Sequence, residues 1–356
     1  MRYRLLGQSP GTYFLALLLR EGSFDVEIHR KAPGRRLRPL RLDDKTFNDL
    51  RHFFAKWQRA SSLFTETLEV LPYAHPRVGQ SIVQRLRPWL PNPDRWLDGE
   101  ALTGELEALV LKAGIRVVPF DAFNEPAVLD TDLRTVYDLD TDEMRALGAP
   151  FREGVSAKFR RIECLECWLP VGRINDRAQA PYFLKLEGSL VFLEAHPRGG
   201  FSVSLYSSSR YALDRALRAL EHPKGSGPAQ WRALFSMNRK TERLERSLQV
   251  RPSPYYLPGA FALGAGIGVF GPMTNRADLL GLGQARRLAE FLLFTTPQTH
   301  PDPYLLTETW LKRELREYHH ESRKLRVWER LLGAERPRPM ALSVAQLLPS
   351  VLRRFL

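Results

Sequence analysis

The chain has 356 residues, 44% hydrophobic and 26% charged, enough to bury one large core or two ordinary ones; it is neither disordered nor collagen-like. Basic residues outnumber acidic ones 53 to 40, a net charge of +13, but 43 of the 53 are Arg, a skew that coding bias produces as readily as a binding face. Two cysteines exclude a disulfide scaffold and any four-thiolate metal site built from this chain alone.

The first thirty residues read as a βαβ unit. Arg2–Leu6 is a strand, Gly7-Gln-Ser-Pro-Gly-Thr12 a tight turn, Tyr13–Arg20 an apolar helix ended by Gly22, and Phe24–Ile28 a second strand. In such a unit the free N–H groups of the helix face the turn and can hold a pyrophosphate. The turn's glycine fingerprint is G-x-G-x-x-G. Here Gly7, Ser9 and Thr12 fill its three places, with Gly11 one place before the last. Ser9 crowds the closest phosphate approach, and Thr12 adds bulk where helix and strand pack. Gly7, Ser9, Pro10, Gly11 and Thr12 are therefore either a phosphate cradle or a plain strand-to-helix turn.

Leu6-Gly-Gln-Ser-Pro-Gly-Thr-Tyr-Phe-Leu-Ala-Leu-Leu-Leu19 and Phe24-Asp-Val-Glu-Ile-His-Arg-Lys31 resemble the opening of the FAD-dependent aromatic hydroxylases of the single-component monooxygenase type. The nearest branch is that of the salicylyl-CoA and violacein-pathway hydroxylases. Leu42–Leu50, Asp98–Leu106, Gly114–Val118, Phe201–Tyr206 and Ser322–Leu332 resemble later segments of the same family. The resemblance implies an α/β fold, with a Rossmann-like dinucleotide-binding domain over 1–155 and 251–300. It also implies an inserted antiparallel β-sheet substrate domain over 156–250 and a C-terminal helical arm over 301–356. FAD is the implied cofactor, NAD(P)H the reductant, and an aromatic or indolic small molecule the substrate, bearing CoA or phosphate in one version.

Four flavin-contacting features depart from that pattern. The turn lacks two of its three glycines. Where the family places an acid to accept the ribose hydroxyls, this chain has Arg30, which cannot accept them but can hold a phosphate. The helix that begins near Asp98 and Gly99 lacks the family's Arg. The family's Gly-Asp pair aligns with Gly264-Ala265 or with Gly271-Pro272, and neither supplies the Asp. Gly281 opens the helix corresponding to the family's last flavin-facing one. Two functional readings follow: a divergent FAD-dependent monooxygenase, or a flavin-less descendant acting as a non-redox enzyme, ligand-binding protein or scaffold.

Elsewhere, Lys45–Phe64 reads as a helix whose stripe of Phe47, Leu50, Phe54, Trp57 and Phe64 suits core packing better than a planar-ligand pocket. Leu71–Asp94 reads as a loop, Gly104–Lys112 as a helix and Ile115–Phe120 as a strand. Period-two segments at Phe159–Pro170, Tyr182–Glu187, Ser189–Ala195 and Phe201–Ser207 read as strands. Cys164 and Cys167 have redox-pair spacing, but on a strand they point to opposite faces. Ser207-Ser-Ser209 caps a helix through Leu220, and Trp231–Leu248 reads as another. Helices follow over Leu280–Phe294 and Thr307–Leu332, then an apolar–basic tail over Leu342–Leu356 that docks on the body by default.

The run His29–Arg41 holds six Lys or Arg and no acid. It reads as a solvated loop or as a phosphate-binding segment beside the nucleotide crevice. No nucleic-acid-binding signature occurs, so nucleic acid is an unlikely partner. With no secretory signal and no apolar span, the chain is expected to be cytoplasmic; a partner protein or a homo-oligomer is compatible with it.

Overall fold

The computed structural model describes residues 2–30, 39–57, 62–64, 68–70, 94–120, 133–148, 151–153, 161–171, 182–222, 224–227, 229–238, 242–249, 253, 255–268, 277–294 and 302–332. The chain divides into two compact units. One comprises Met1–Arg35, Gly99–Arg160 and Gln249–His319; the other comprises Arg36–Asp98, Arg161–Leu248 and His320–Leu356.

The first unit is built on a five-stranded sheet. Its strands are β1 (Arg2–Gly7), β2 (Asp25–Arg30), β6 (Arg116–Pro119), β7 (Leu133–Asp138) and β15 (Phe261–Ala262), in the order β15-β7-β1-β2-β6. All four pairings are parallel. Helix α1 (Pro10–Glu21) crosses between β1 and β2 with Tyr13, Phe14, Leu15, Ala16, Leu17 and Leu19 all buried. A helix apolar on every side needs cover on every side. Here α3 (Gly99–Lys112) and α7 (Ala277–Phe294) supply it along with the sheet. Helix α8 (Pro303–Leu332) is pinned by Trp310, fully buried, whose indole Nε1 donates to the Ala262 carbonyl at 2.8 Å.

Strand β7 lies between β15 and β1 in this sheet but escapes the sequence periodicity. The short α4 (Thr141–Leu147) follows it, closed by a capping box between Asp140 and Glu143.

On the sheet face away from Arg30, Glu27 is only 2% exposed and takes Arg4 Nε at 2.9 Å, Arg2 Nη2 at 2.7 Å, and Arg116. Burial pushes its carboxyl up, but hydrogen bonds from Arg116, Arg4 and His29 outweigh this and hold it at about 2. A folded pKa below the unfolded value stabilises the protein above the unfolded pKa and is lost as pH falls toward 2. Glu27→Gln is therefore expected to lower stability at neutral pH, with the gap from the parent closing between about pH 4.5 and pH 2. Denaturant melts across that range check it; a constant gap contradicts it.

The second unit carries an antiparallel sheet in the order β10-β11-β12-β9-β13. Its strands are β9 (Arg161–Leu169), β10 (Tyr182–Leu186), β11 (Ser189–Ala195), β12 (Phe201–Ser207) and β13 (Glu242–Gln249). One face packs Leu165, Cys167, Val191, Leu193, Val203 and Leu205 against α5 (Arg210–Glu221) and α6 (Ala229–Met237). As strand alternation requires, Cys167 joins that core while Cys164 lies on the other face; both are free and buried. Burial pushes the Cys167 thiol up to about 12, so it is no redox nucleophile.

The predicted Trp231–Leu248 helix is corrected to a helix and a strand. Asn238 ends α6: its carboxamide donates to the carbonyls of Leu234 and Val171 and accepts from the Val171 N–H. The chain re-enters as β13, an edge strand whose Arg243 and Glu245 pair with Glu221 and Arg210. Charges that suggest a solvated helix here guard a sheet edge.

The helix predicted over Lys45–Phe64 is also shorter. Helix α2 (Asp44–Lys56) stops, and a 3-10 turn over Ser62–Phe64 returns the Phe64 ring to 5.3 Å from Phe47 and 5.5 Å from Phe54. The aromatic stripe is core packing. Beside it, β3 (Leu40–Leu42), β5 (Asp94–Leu97) and β4 (Leu68–Val70) form a small antiparallel sheet. Residues 31–38 of the basic run, 71–93 of the predicted loop, Gly271-Pro272 and the 342–356 tail lie outside the described residues.

Candidate functional site

The site is the turn between β1 and α1. Ser9 is the N-cap of α1, and its Oγ accepts the Thr12 N–H at 3.2 Å; Pro10, next in line, has no N–H to offer. The helix end is thus partly satisfied by its own chain.

What faces it is a carboxylate. Asp138, the last residue of β7, is 6% exposed and accepts from Ser9 Oγ, from Thr12 Oγ1 at 3.1 Å and from the Ala265 N–H at 2.8 Å. The neighbouring Gly264 N–H donates to Gln284 Oε1 at 2.8 Å. A negative charge at a helix N-terminus is favourable, and here the protein supplies it from its own sheet.

The candidate glycines are explained by this packing. A Cβ on Gly7 would lie 2.7 Å from Thr12 Oγ1 and 2.8 Å from the Asp138 carbonyl oxygen. On Gly11 it would lie 2.9 Å from the Gly281 carbonyl oxygen, at the contact of α1 with α7. Gly264, at φ +50°, would drive a Cβ into the Asp138 carboxylate. Gly7, Ser9, Pro10, Gly11, Thr12, Gly264, Ala265 and Gly281 therefore do converge. The residue that joins them, Asp138, is missed by sequence reading because β7 is missed; its signal is an acid closing the run Thr135-Val-Tyr137.

Arg30 stands apart from that network. Its guanidinium donates to Tyr13 OH at 2.8 Å and pairs with Glu107 Oε1 at 2.6 Å. Those bonds commit it to α1 and α3.

These residues do not fit the pyrophosphate of FAD on the helix N-terminus. Its charge would meet the Asp138 carboxylate, and the closest approach is filled by the Ser9 side chain. Arg30 supplies no acceptor for ribose hydroxyls, and Ala265 no carboxylate for a ribityl chain. Among the described residues no group of His, Cys, Asp and Glu is placed to hold a metal, and no helix is long and apolar enough to cross a membrane.

No protein-family model and no curated protein matches the sequence. Solved structures do match the fold. The peptidyl tryptophan dihydroxylase QhpG, essential for tryptophylquinone cofactor biogenesis, aligns at TM-score 0.63 and 15% identity, over 97% of this chain and 78% of its own. The 2,6-dihydroxypyridine-3-hydroxylase of Arthrobacter nicotinovorans aligns at TM-score 0.64 and 13% identity, over 96% of this chain and 95% of its own. HpxO of Klebsiella pneumoniae, solved with FAD and uric acid, aligns at TM-score 0.63 and 12% identity, over 100% of this chain and 95% of its own. The parallel sheet, the antiparallel sheet and their helices are therefore those of the FAD-dependent hydroxylase fold.

Proposed function

We propose that this chain is a flavin-free protein of the FAD-dependent hydroxylase fold, which binds a small aromatic ligand without oxidising it. The observation that carries the reading is the Asp138 carboxylate on the helix N-terminus, bonded to Ser9, Thr12 and Ala265. A fold outlives its chemistry when the cofactor contacts are replaced and the replacements bond to one another. Residues 1–155 and 251–300 are then a dinucleotide-binding domain turned to support, 156–250 the ligand-binding domain and 301–356 an arm. Neither FAD nor NAD(P)H has a role in this reading, and nucleic acid is not a partner.

One observation favours the other reading, an FAD-dependent monooxygenase reduced by NAD(P)H: the same fold carries FAD in HpxO. Purified protein separates the two. Absorbance after purification, and again after soaking in FAD and desalting, is expected to show no flavin bands. Flavin bands that survive desalting overturn the proposal.

A further inference from the structure

Strand β13 is an outer strand of the antiparallel sheet: it pairs with β9 on one side and, among the described residues, with no strand on the other. Its segment Glu242-Arg-Leu-Glu-Arg246 contains no Pro or Gly, and Arg243 and Glu245 are exposed. Two residues apart on one strand, Arg243 and Glu245 share a sheet face. It is the face that α5 covers, where they pair with Glu221 and Arg210 at the two ends of that helix. These bridges lie open to water, with side-chain exposures between 32% and 53%, and bridges of that kind contribute little to stability. A guanidinium has five N–H donors and a carboxylate two acceptor oxygens, so Arg243 and Glu245 each keep capacity for a second partner.

An uncovered strand edge invites another strand, and the charges along it decide which. Reading Glu242-Arg-Leu-Glu-Arg246 backwards exchanges the sign at every charged position. Laid antiparallel against a second copy of itself about Leu244, the segment sets Arg243 opposite Glu245, Glu242 opposite Arg246 and Leu244 opposite Leu244. Opposite charges facing each other across a ladder stabilise it, and like charges destabilise it. Every neighbouring register fails on that ground. Sliding by one or two residues in either direction sets Glu242 on Glu245, Arg243 on Arg246, Arg243 on itself or Glu245 on itself. In-register parallel pairing sets every charge on its own kind. The charges that guard this edge against other strands therefore admit one partner in one register.

We propose that two copies of this chain associate through β13, about a two-fold axis at Leu244, into one sheet that continues across both. The edge is self-complementary, as two-fold symmetry requires. On the face of α5 it builds an alternating row, Glu221 and Arg243 of one copy against Glu245 and Arg210 of the other, and the axis repeats that row. Main-chain groups of the two strands supply the hydrogen bonds, and the charges supply the register. No residue of this interface belongs to the turn that faces Asp138, so the pairing does not depend on flavin.

Sedimentation equilibrium of the full chain is expected to show a monomer–dimer equilibrium that weakens as salt rises. Arg243→Glu and Glu245→Arg each set like charges opposite one another on both sides of the axis. Each is expected to raise the dimer dissociation constant roughly tenfold or more. Mixed in equal amounts, the two variants present complementary edges and are expected to associate again. The double variant Arg243→Glu/Glu245→Arg, self-complementary with its signs exchanged, is expected to dimerise as the parent does. The bridges to Glu221 and Arg210 stay broken in the mixture and in the double variant, so regained association reports the contact between copies. A parent that is monomeric at every concentration, single variants that dimerise as the parent does, or a mixture that stays monomeric overturns the proposal.

Discussion

Arg287→Ala is expected to cost about 3–5 kcal/mol, because it strands a carboxylate that has no access to water. Glu314 on α8 is fully buried and accepts two bonds from the Arg287 guanidinium on α7, at 3.2 and 2.6 Å. The pair is lopsided: the Arg287 side chain is 33% exposed and Glu314 not at all. Removing the acid leaves a guanidinium that can turn to solvent. Removing the guanidinium leaves a charge with nowhere to go. Glu314→Ala is therefore expected to cost well under half as much. Denaturant melts of both variants check the asymmetry, and equal losses contradict it. The damage should also reach β15, since the same helix holds Ala262 through Trp310.

Asp138→Ala is expected to cost about 3 kcal/mol, since it leaves the Ser9 and Thr12 hydroxyls and the Ala265 N–H without their shared acceptor. Asp138→Asn should cost less than about 1 kcal/mol. Its oxygen can keep the Ala265 bond while its amide donates to the two hydroxyls, which accept as readily as they donate. Thermal or denaturant melts distinguish the two variants. If Ala is tolerated as well as Asn, the carboxylate is not what closes the turn. The residues that read as a worn phosphate cradle would then have no common function in the structure.

The strands and helices that declare themselves in the sequence are those with a simple pattern on one face. Ser189–Ala195 and Phe201–Ser207 alternate and are strands with those bounds. The apolar run after Pro10 is a helix covered on all sides. Errors fall where long-range partners overrule local pattern. Asn238 stops a helix because Val171, far away in sequence, presents both its N–H and its carbonyl. Charges along Glu242–Gln249 look helical until Arg210 and Glu221 appear beside them. Phe64 keeps its place in the aromatic stripe without being in the helix.

The surplus of Arg over acid is the feature whose meaning shifts most. Arg2, Arg4 and Arg116 gather around Glu27, Arg30 pairs with Glu107, and Arg287 with Glu314. Five arginines of the described first unit are thus engaged with carboxylates of the same unit, three of them around the single Glu27.

By itself the sequence determined the βαβ opening and the switch to an antiparallel sheet, because both are local in composition or spacing. Only the tertiary structure decided what the turn after β1 faces. Asp138 lies more than a hundred residues from Ser9, and parallel pairing of β1 with β7 brings Gly7 opposite Asp138. Likewise, no local pattern distinguishes Ser202 and Ser204 from any polar side of a strand. Cross-strand register is what sets Ser202 between Glu194 and Trp168, and Ser204 between Phe192 and Glu166.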